Sequence, residues 1–243
     1  MSLRMRTATA EDIPAIGRIS AAAFDPSTDS ITRRLFPRDA GDAKIAPWRE
    51  ARKGASLQSE RTVMMVVVDE QLNDEVVGFS FWEAPVNNGR GEPIHLHPKE
   101  PEPPAGLDLA AYQEMRSIVG GDAVDTFGKD GTAHIWRMFF PPLFSMVRCQ
   151  LTNPLDLEYI GVDPRHQRRG IGKILLNWGI EQAQRQEVDC YMFATPAGRT
   201  LYEKAGFVVR KVVPVFGVPH YSMILHHKPK TQLPPSPASD KTN

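Results

Sequence analysis

The sequence predicts an α+β (mixed α/β) fold, and three observations lead to this class. Residues 11–24 have the apolar spacing of an amphipathic helix. Two β-prone runs, at 63–68 and 76–82, are separated by a short polar stretch and indicate an antiparallel hairpin. Residues 155–226 then alternate between strand and helix patterns, beginning with a strand, a glycine-bearing turn and a second amphipathic helix.

Composition excludes several classes of protein. The chain has 243 residues with a formal net charge of zero, so no broad field favours nucleic acid or an acidic membrane as partner. The two cysteines, Cys149 and Cys190, lie in apolar surroundings and are expected to be reduced core residues. No apolar run reaches signal-peptide length near Met1 or the roughly 18 residues of a membrane span. We therefore expect a cytoplasmic or nuclear protein.

The first helix is predicted over residues 11–24, where apolar side chains recur every three or four positions. Thr9 and Asp12 have the spacing of a capping box at its start. A weaker helical pattern covers residues 47–58. The hairpin follows, because the run 63–68 is too short for a typical helix and is continuous in β-prone residues.

Residues 85–131 differ in composition from the rest of the chain. Five prolines between 93 and 104 break any long element, and only residues 109–119 have a helical pattern. The segment lacks the apolar content for a core of its own, which indicates an insertion in a single domain spanning 1–227. Two interpretations stay open for it, a solvated loop and a substrate-side lid. The proline-rich tail, 228–243, is expected to be disordered.

The second half contains the clearest element boundaries. Thr195 and Pro196 have the types expected at a helix N-cap and first helical position, and Gly206 closes that short helix. Two strands are predicted before this helix, at 155–162 and 190–194, and two after it, at 207–215 and 221–226.

The turn between the strand 155–162 and the next helix has the features of a diphosphate site. Backbone N–H groups at a helix start point outward, and the helix dipole there favours negative charge. Gly170 and Gly172 allow close approach to the main chain, and three cations surround them: Arg168, Arg169 and Lys173. Two other phosphate motifs fail, since Ile174 replaces the hydroxyl of a nucleoside-triphosphate loop and Leu175 the third glycine of a dinucleotide fingerprint.

The hexapeptide 167–172, Gln-Arg-Arg-Gly-Ile-Gly, resembles the Q/R-x-x-G-x-G/A signature of the GNAT superfamily of N-acetyltransferases. The resemblance extends through the strand 157–164, the helix after it and residues 201–207, and covers roughly 4–225 with 85–131 unmatched. It implies a GNAT-type acyl-CoA N-acyltransferase fold, a strongly twisted mixed sheet with helices on both faces. In that fold the fourth and fifth strands splay apart around the pantetheine arm of the coenzyme.

The resemblance also implies a cofactor site for acetyl-CoA, and no metal is expected. Backbone groups of the fourth strand would pair with pantetheine, which maps onto Ile160, Gly161 and Val162. The turn would hold the pyrophosphate, which maps onto the following residues: Gln167, Arg168, Arg169, Gly170, Ile171, Gly172 and Lys173. The seven histidines show no metal-ligand spacing with cysteine or carboxylate.

Acetyl transfer to an amine needs an acid for the leaving thiolate and a base for the amine. Tyr202 matches the family's tyrosine near the coenzyme sulfur, although it could also pack in the core beside its helix neighbours. Glu158 and Asp156 share a strand face with Ile160 and are the candidate bases, with plain solvated strand residues as the alternative. Phe193 stands where some antibiotic-acetylating members have a glutamate.

These residues together predict an N-acetyltransferase that transfers acetyl from acetyl-CoA to a primary amine in a ternary complex. The expected acceptor is a small molecule, with neither nucleic acid nor membrane as partner. Two alternatives remain, an acetyl-CoA-binding regulatory module without turnover and a protein-lysine acetyltransferase. No motif identifies the acceptor, the acyl-chain preference or the oligomeric state.

Overall fold

The computed structural model describes residues 2–37, 42–58, 62–85, 101–128, 136–138 and 160–227. Six α-helices lie in these ranges: α1 Ile13–Ala23, α2 Ser30–Leu35, α3 Asp42–Leu57, α4 Leu109–Phe127, α5 Ile171–Arg185 and α6 Pro196–Lys204. Eight strands lie there as well: β1 Leu3–Thr7, β2 Thr62–Asp69, β3 Glu75–Glu83, β4 Trp136–Met138, β5 Ile160–Val162, β6 Cys190–Ala194, β7 Val208–Val215 and β8 Val218–Leu225. None of these helices has the length and apolar character to cross a membrane.

Most of the predicted elements are present. The capping box forms, with both the Thr9 and the Asp12 side chains in place before α1. The predicted hairpin is the antiparallel pair β2–β3. The start of the second helix was wrong by five residues, because α3 begins at Asp42 and contains Pro47. Of the strand expected at 155–162 the described part is β5, and the tail 228–243 lies outside the described residues.

The strands form one sheet in the order β1-β2-β3-β4-β6-β8-β7, with β5 paired to β3 beside that path. One edge of β3 holds two strands end to end, with β4 opposite Trp82 and Glu83 and β5 opposite residues 78–80. β4 also pairs with β6, and these two strands are parallel. Among the described strands no ladder joins β5 to β6, so the sheet splits at this point.

Helices cover both faces of the sheet because the strands alternate their side chains. On β2, Val66 is buried against the α1 side and its neighbour Val67 against the α5 side, and both are fully buried. α1 supplies Ile16 and Ile19 to the first layer, while α5 supplies Leu175 to the second. The fold is therefore the mixed α+β arrangement that the sequence predicts.

Helix α4 lies within the segment that was expected to be a solvated loop or a lid. Its residues Ala111, Met115 and Val119 are fully buried in a core cluster that also contains Trp82 and Trp136. The Tyr191 hydroxyl on β6 donates to Oδ2 of Asp122 on α4 at 2.8 Å. The solvated-loop interpretation is thus wrong for α4, because the helix supplies apolar surface to the main core.

Truncating Met115 tests this role of α4. We expect Met115→Ala to lower the free energy of unfolding by about 2–5 kcal/mol, as for other fully buried side chains. The matched control is Leu109→Ala in the same helix, where the side chain is 53% exposed and the loss should stay below about 0.5 kcal/mol. Guanidinium denaturation of both variants measures the difference. Equal losses would contradict a core role for α4.

Candidate functional site

A cavity of about 440 Å³ opens where the sheet splits. One wall is β5, and the facing wall is β6 with the first turns of α6. The turn before α5 and the first residues of that helix line a third side, and Ala23 and Phe24 at the end of α1 complete the lining. The volume is in the usual range for small-molecule sites.

The turn before α5 exposes the backbone donors of a helix start. Gly170, the N-cap residue, has φ of +83°, a left-handed conformation that glycine adopts without strain. No side chain caps this end, and the first helical bond runs from the Ile174 amide to the Gly170 carbonyl at 3.1 Å. The amides of residues 171–173 therefore lack intrahelical acceptors, as at every helix start, and are positioned to bind an anion.

The three cationic side chains of the turn have different surroundings. Arg168 and Lys173 are exposed, line the cavity and make no salt bridge within the described part of the chain. Arg169 is not among the residues that line the cavity, so the positive charge expected from its side chain is not part of the lining. Its guanidinium donates to Oδ2 of Asp69 at 2.6 Å and to Nδ1 of His166 at 2.8 Å. Two of the three predicted cations thus face the cavity.

Strand β5 presents one edge to the cavity. Ile160 and Val162 line it, whereas Gly161 faces the opposite side of the strand. A Cβ atom at Gly161 would lie 2.3 Å from the Phe79 ring, so only glycine fits this contact. β5 pairs with β3 through its other edge. No described strand pairs with the edge toward β6, which there leaves strand amides and carbonyls for an extended ligand.

Tyr202 lies in the core and also at the cavity, the two positions that the sequence left open. It belongs to the core cluster and packs edge-on against Phe207, with ring centroids 6.2 Å apart, and it also lines the cavity. Its residue surface is 7% exposed. Burial raises the pKa of the Tyr202 phenol above its usual value, so the hydroxyl stays protonated at neutral pH and keeps a proton to donate.

His220 is a residue near the cavity that sequence reasoning missed. Its ring stacks on Phe193, a cavity residue, at 5.7 Å between centroids and 13° between planes. His220 Nδ1 lies 3.0 Å from the Val218 carbonyl oxygen, and burial lowers the pKa of the imidazole. Both observations fit a neutral ring. The strand alternation of β6 and β8 could have placed the two rings on one face, but their pairing register is not readable from sequence.

Three further expectations concern the candidate bases, Cys190 and metal binding. Glu158 and Asp156, the candidate bases, lie outside the described residues. Cys190 is in the core, where burial raises the pKa of its thiol and opposes the nucleophilic thiolate form. In the described ranges no group of three histidine, cysteine or acidic side chains could hold a metal ion.

Comparison with known proteins gives matches that agree with this geometry. Residues 111–209 match the family model described as an acetyltransferase (GNAT) domain. A segment of 41 residues is 39% identical to the probable acyltransferase SID5 of Ajellomyces capsulatus, and the match spans 17% of this chain and 30% of that protein.

Solved structures are similar to the chain over most of its length. One, described as histone acetyltransferase HPA2 and related acetyltransferase of Corynebacterium glutamicum, has a TM-score of 0.56 and 22% identity over 95% of this chain and 99% of that one. The yncA protein of Salmonella typhimurium, solved with its cofactor acetyl-CoA, has a TM-score of 0.48 and 16% identity over 95% and 97%. The first likeness supports the fold assignment.

Neutralising the two cavity cations tests the anion site. We expect Arg168→Gln and Lys173→Gln each to weaken binding of inorganic pyrophosphate about threefold to tenfold, because each removes a charge beside the helix start. The control is Arg185→Gln at the far end of α5, where the side chain is 68% exposed and binding should not change. Amide NMR titration followed at residues 171–173 gives the affinities. Unchanged affinities in both cavity variants would contradict the site.

Proposed function

We propose that the chain is a GNAT-type acetyltransferase that transfers an acetyl group from acetyl-CoA to a primary amine, in agreement with the acetyltransferase (GNAT) domain model that matches residues 111–209. The observation that carries this proposal is that three different surfaces line one cavity. They are a cationic helix start, a strand edge and a buried phenol. Acetyl-CoA has a part that suits each of them: a pyrophosphate, an extended amide-bearing arm and a thioester.

Each part of acetyl-CoA has matching protein groups in this proposal. The pyrophosphate would accept from the amides of Ile171, Gly172 and Lys173, with Arg168 and Gln167 at the side. The pantetheine amides would pair with the free edge of β5 at residues 160–162. The adenosine would lie outside the cavity, which at about 440 Å³ suits the narrower part of the molecule.

The transfer would proceed by direct attack of the amine on the thioester. The nitrogen lone pair adds to the carbonyl carbon, and the C–S bond then breaks with both electrons leaving on sulfur. Tyr202 would give its proton to the departing thiolate, because burial keeps the phenol protonated. The amine must lose a proton, and Glu158 and Asp156, which precede β5, stay our candidate bases.

The proposed acceptor is a small-molecule amine, and a cytoplasmic location is part of the same proposal. A thiol-release assay with acetyl-CoA against polyamines, amino acids, aminoglycosides, arylamines and basic peptides tests it, with mass spectrometry of the product. Acetylation of a small amine supports the proposal. Reaction of peptides alone would instead identify a protein-lysine acetyltransferase. Binding of acetyl-CoA without any release of thiol would identify a regulatory module.

Removing the Tyr202 hydroxyl tests the proposed acid. We expect Tyr202→Phe to lower kcat about a hundredfold or more and to change the Kd for CoA less than about threefold, because proton donation matters only during transfer. Tyr112→Phe is the matched control, since it removes a phenol hydroxyl on α4, away from the cavity lining. Steady-state kinetics and calorimetry provide both constants. Full turnover in the Tyr202 variant would refute the assignment.

A further inference from the structure

Two carboxylates of the β2–β3 hairpin hold two arginines of the turn before α5. Asp69 and Glu75 are cross-strand partners at the end of the β2–β3 ladder. Asp69 Oδ2 accepts from Arg169 at 2.6 Å, and Glu75 Oε1 accepts from Arg165 at 3.1 Å. The hairpin therefore contacts the turn at both ends of the segment 165–169.

The two pairs differ in burial. The side chains of Asp69 and Arg169 are 3% and 19% exposed, whereas those of Glu75 and Arg165 are 33% and 63% exposed. Solvent screens the second pair far more than the first. The hydrogen bond from Arg169 lowers the pKa of the Asp69 carboxyl, which is therefore ionised at neutral pH. Asp69 Oδ1 is fixed as well, because it accepts from the Gln71 amide at 3.1 Å.

The backbone on either side of Arg169 is in a left-handed conformation. Arg168 has φ of +64° and Gly170 has φ of +83°. For a residue with a Cβ atom such as Arg168 this conformation is unfavourable, and it persists where surrounding contacts hold it. Arg169 lies between the two positions, and its side chain contacts Asp69 and His166, neither of which lines the cavity.

We propose that the Asp69–Arg169 pair is a positioning clamp that holds the turn in the shape that presents its amides and Arg168 to the pyrophosphate. Arg169 acts through the backbone of the turn, not by touching the coenzyme. The inference rests on the proposed function, because it assigns the turn to a pyrophosphate-bearing ligand. It also gives the arginines separate tasks, with Arg168 facing the ligand and Arg169 facing the hairpin.

The substitution Asp69→Asn distinguishes the clamp from direct binding, because the two models predict opposite signs. Direct binding by Arg169 would become stronger once the competing carboxylate charge is removed. The clamp predicts that CoA binds about tenfold more weakly, since the freed turn must be ordered on binding. Calorimetry with CoA measures the Kd, and an unchanged or lower Kd overturns the proposal.

Two controls exclude general effects of the substitution. Asp74→Asn removes an equal charge from the same hairpin, where Asp74 pairs with Arg4 at 3.1 Å, and should leave the Kd unchanged. Pantetheine, which lacks the pyrophosphate, should bind the parent and Asp69→Asn proteins equally. An equal weakening of CoA and pantetheine would mean a general loss of structure and would overturn the clamp.

A measurement without ligand separates this inference from the proposed function. Backbone order parameters of the amides at 168–173, measured by NMR relaxation, should be lower in Asp69→Asn and in Arg169→Gln, and the double variant should add little to either. Failure of the parent protein to bind CoA would refute the proposed function but leave this test intact. Unchanged order parameters in both single variants would refute the clamp even if CoA binds.

Discussion

The break in the sheet between β5 and β6 is the constraint on which the site depends. β3 pairs with β4 and β5 along one edge, but only β4 is joined onward to β6 in the described strands. β5 is thus left with backbone donors and acceptors that no neighbouring strand among the described residues satisfies. Backbone donors and acceptors without partners cost free energy when they are also shielded from water. An extended ligand lying along β5 would pair with them and complete the ladder.

The position of α5 follows from packing on the sheet next to that break. Gly78 on β3 lies against α5, where a Cβ atom would come within 2.6 Å of the Ile171 side chain. The helix start is therefore held beside the end of β5, and its dipole and free amides are directed to the cavity. In a chain with zero formal net charge, this local arrangement concentrates positive potential where the global charge supplies none.

The parts of the site that were predictable are local in sequence. A strand, a glycine turn and an amphipathic helix follow one another within 160–185, and this order predicts an anion site once the flanking residues are seen to resemble the family signature. The side-chain direction of Arg169 was not predictable, because its partner Asp69 is 100 residues away and the left-handed turn reverses neighbouring side chains. The buried role of α4 was missed for a similar reason, since Met115 reaches the core through contacts that no local pattern records.

Burial at and beside the cavity favours the neutral forms of two titratable groups. Burial raises the pKa of the Tyr202 phenol and lowers that of the His220 imidazole, so desolvation opposes the charged form of both. An amine bound there would experience the same effect, which lowers its pKa and makes its proton easier to remove. The demand on a general base is correspondingly smaller, and the same burial that packs Tyr202 into the core keeps it a proton donor. Core packing and proposed chemistry are therefore two consequences of one environment.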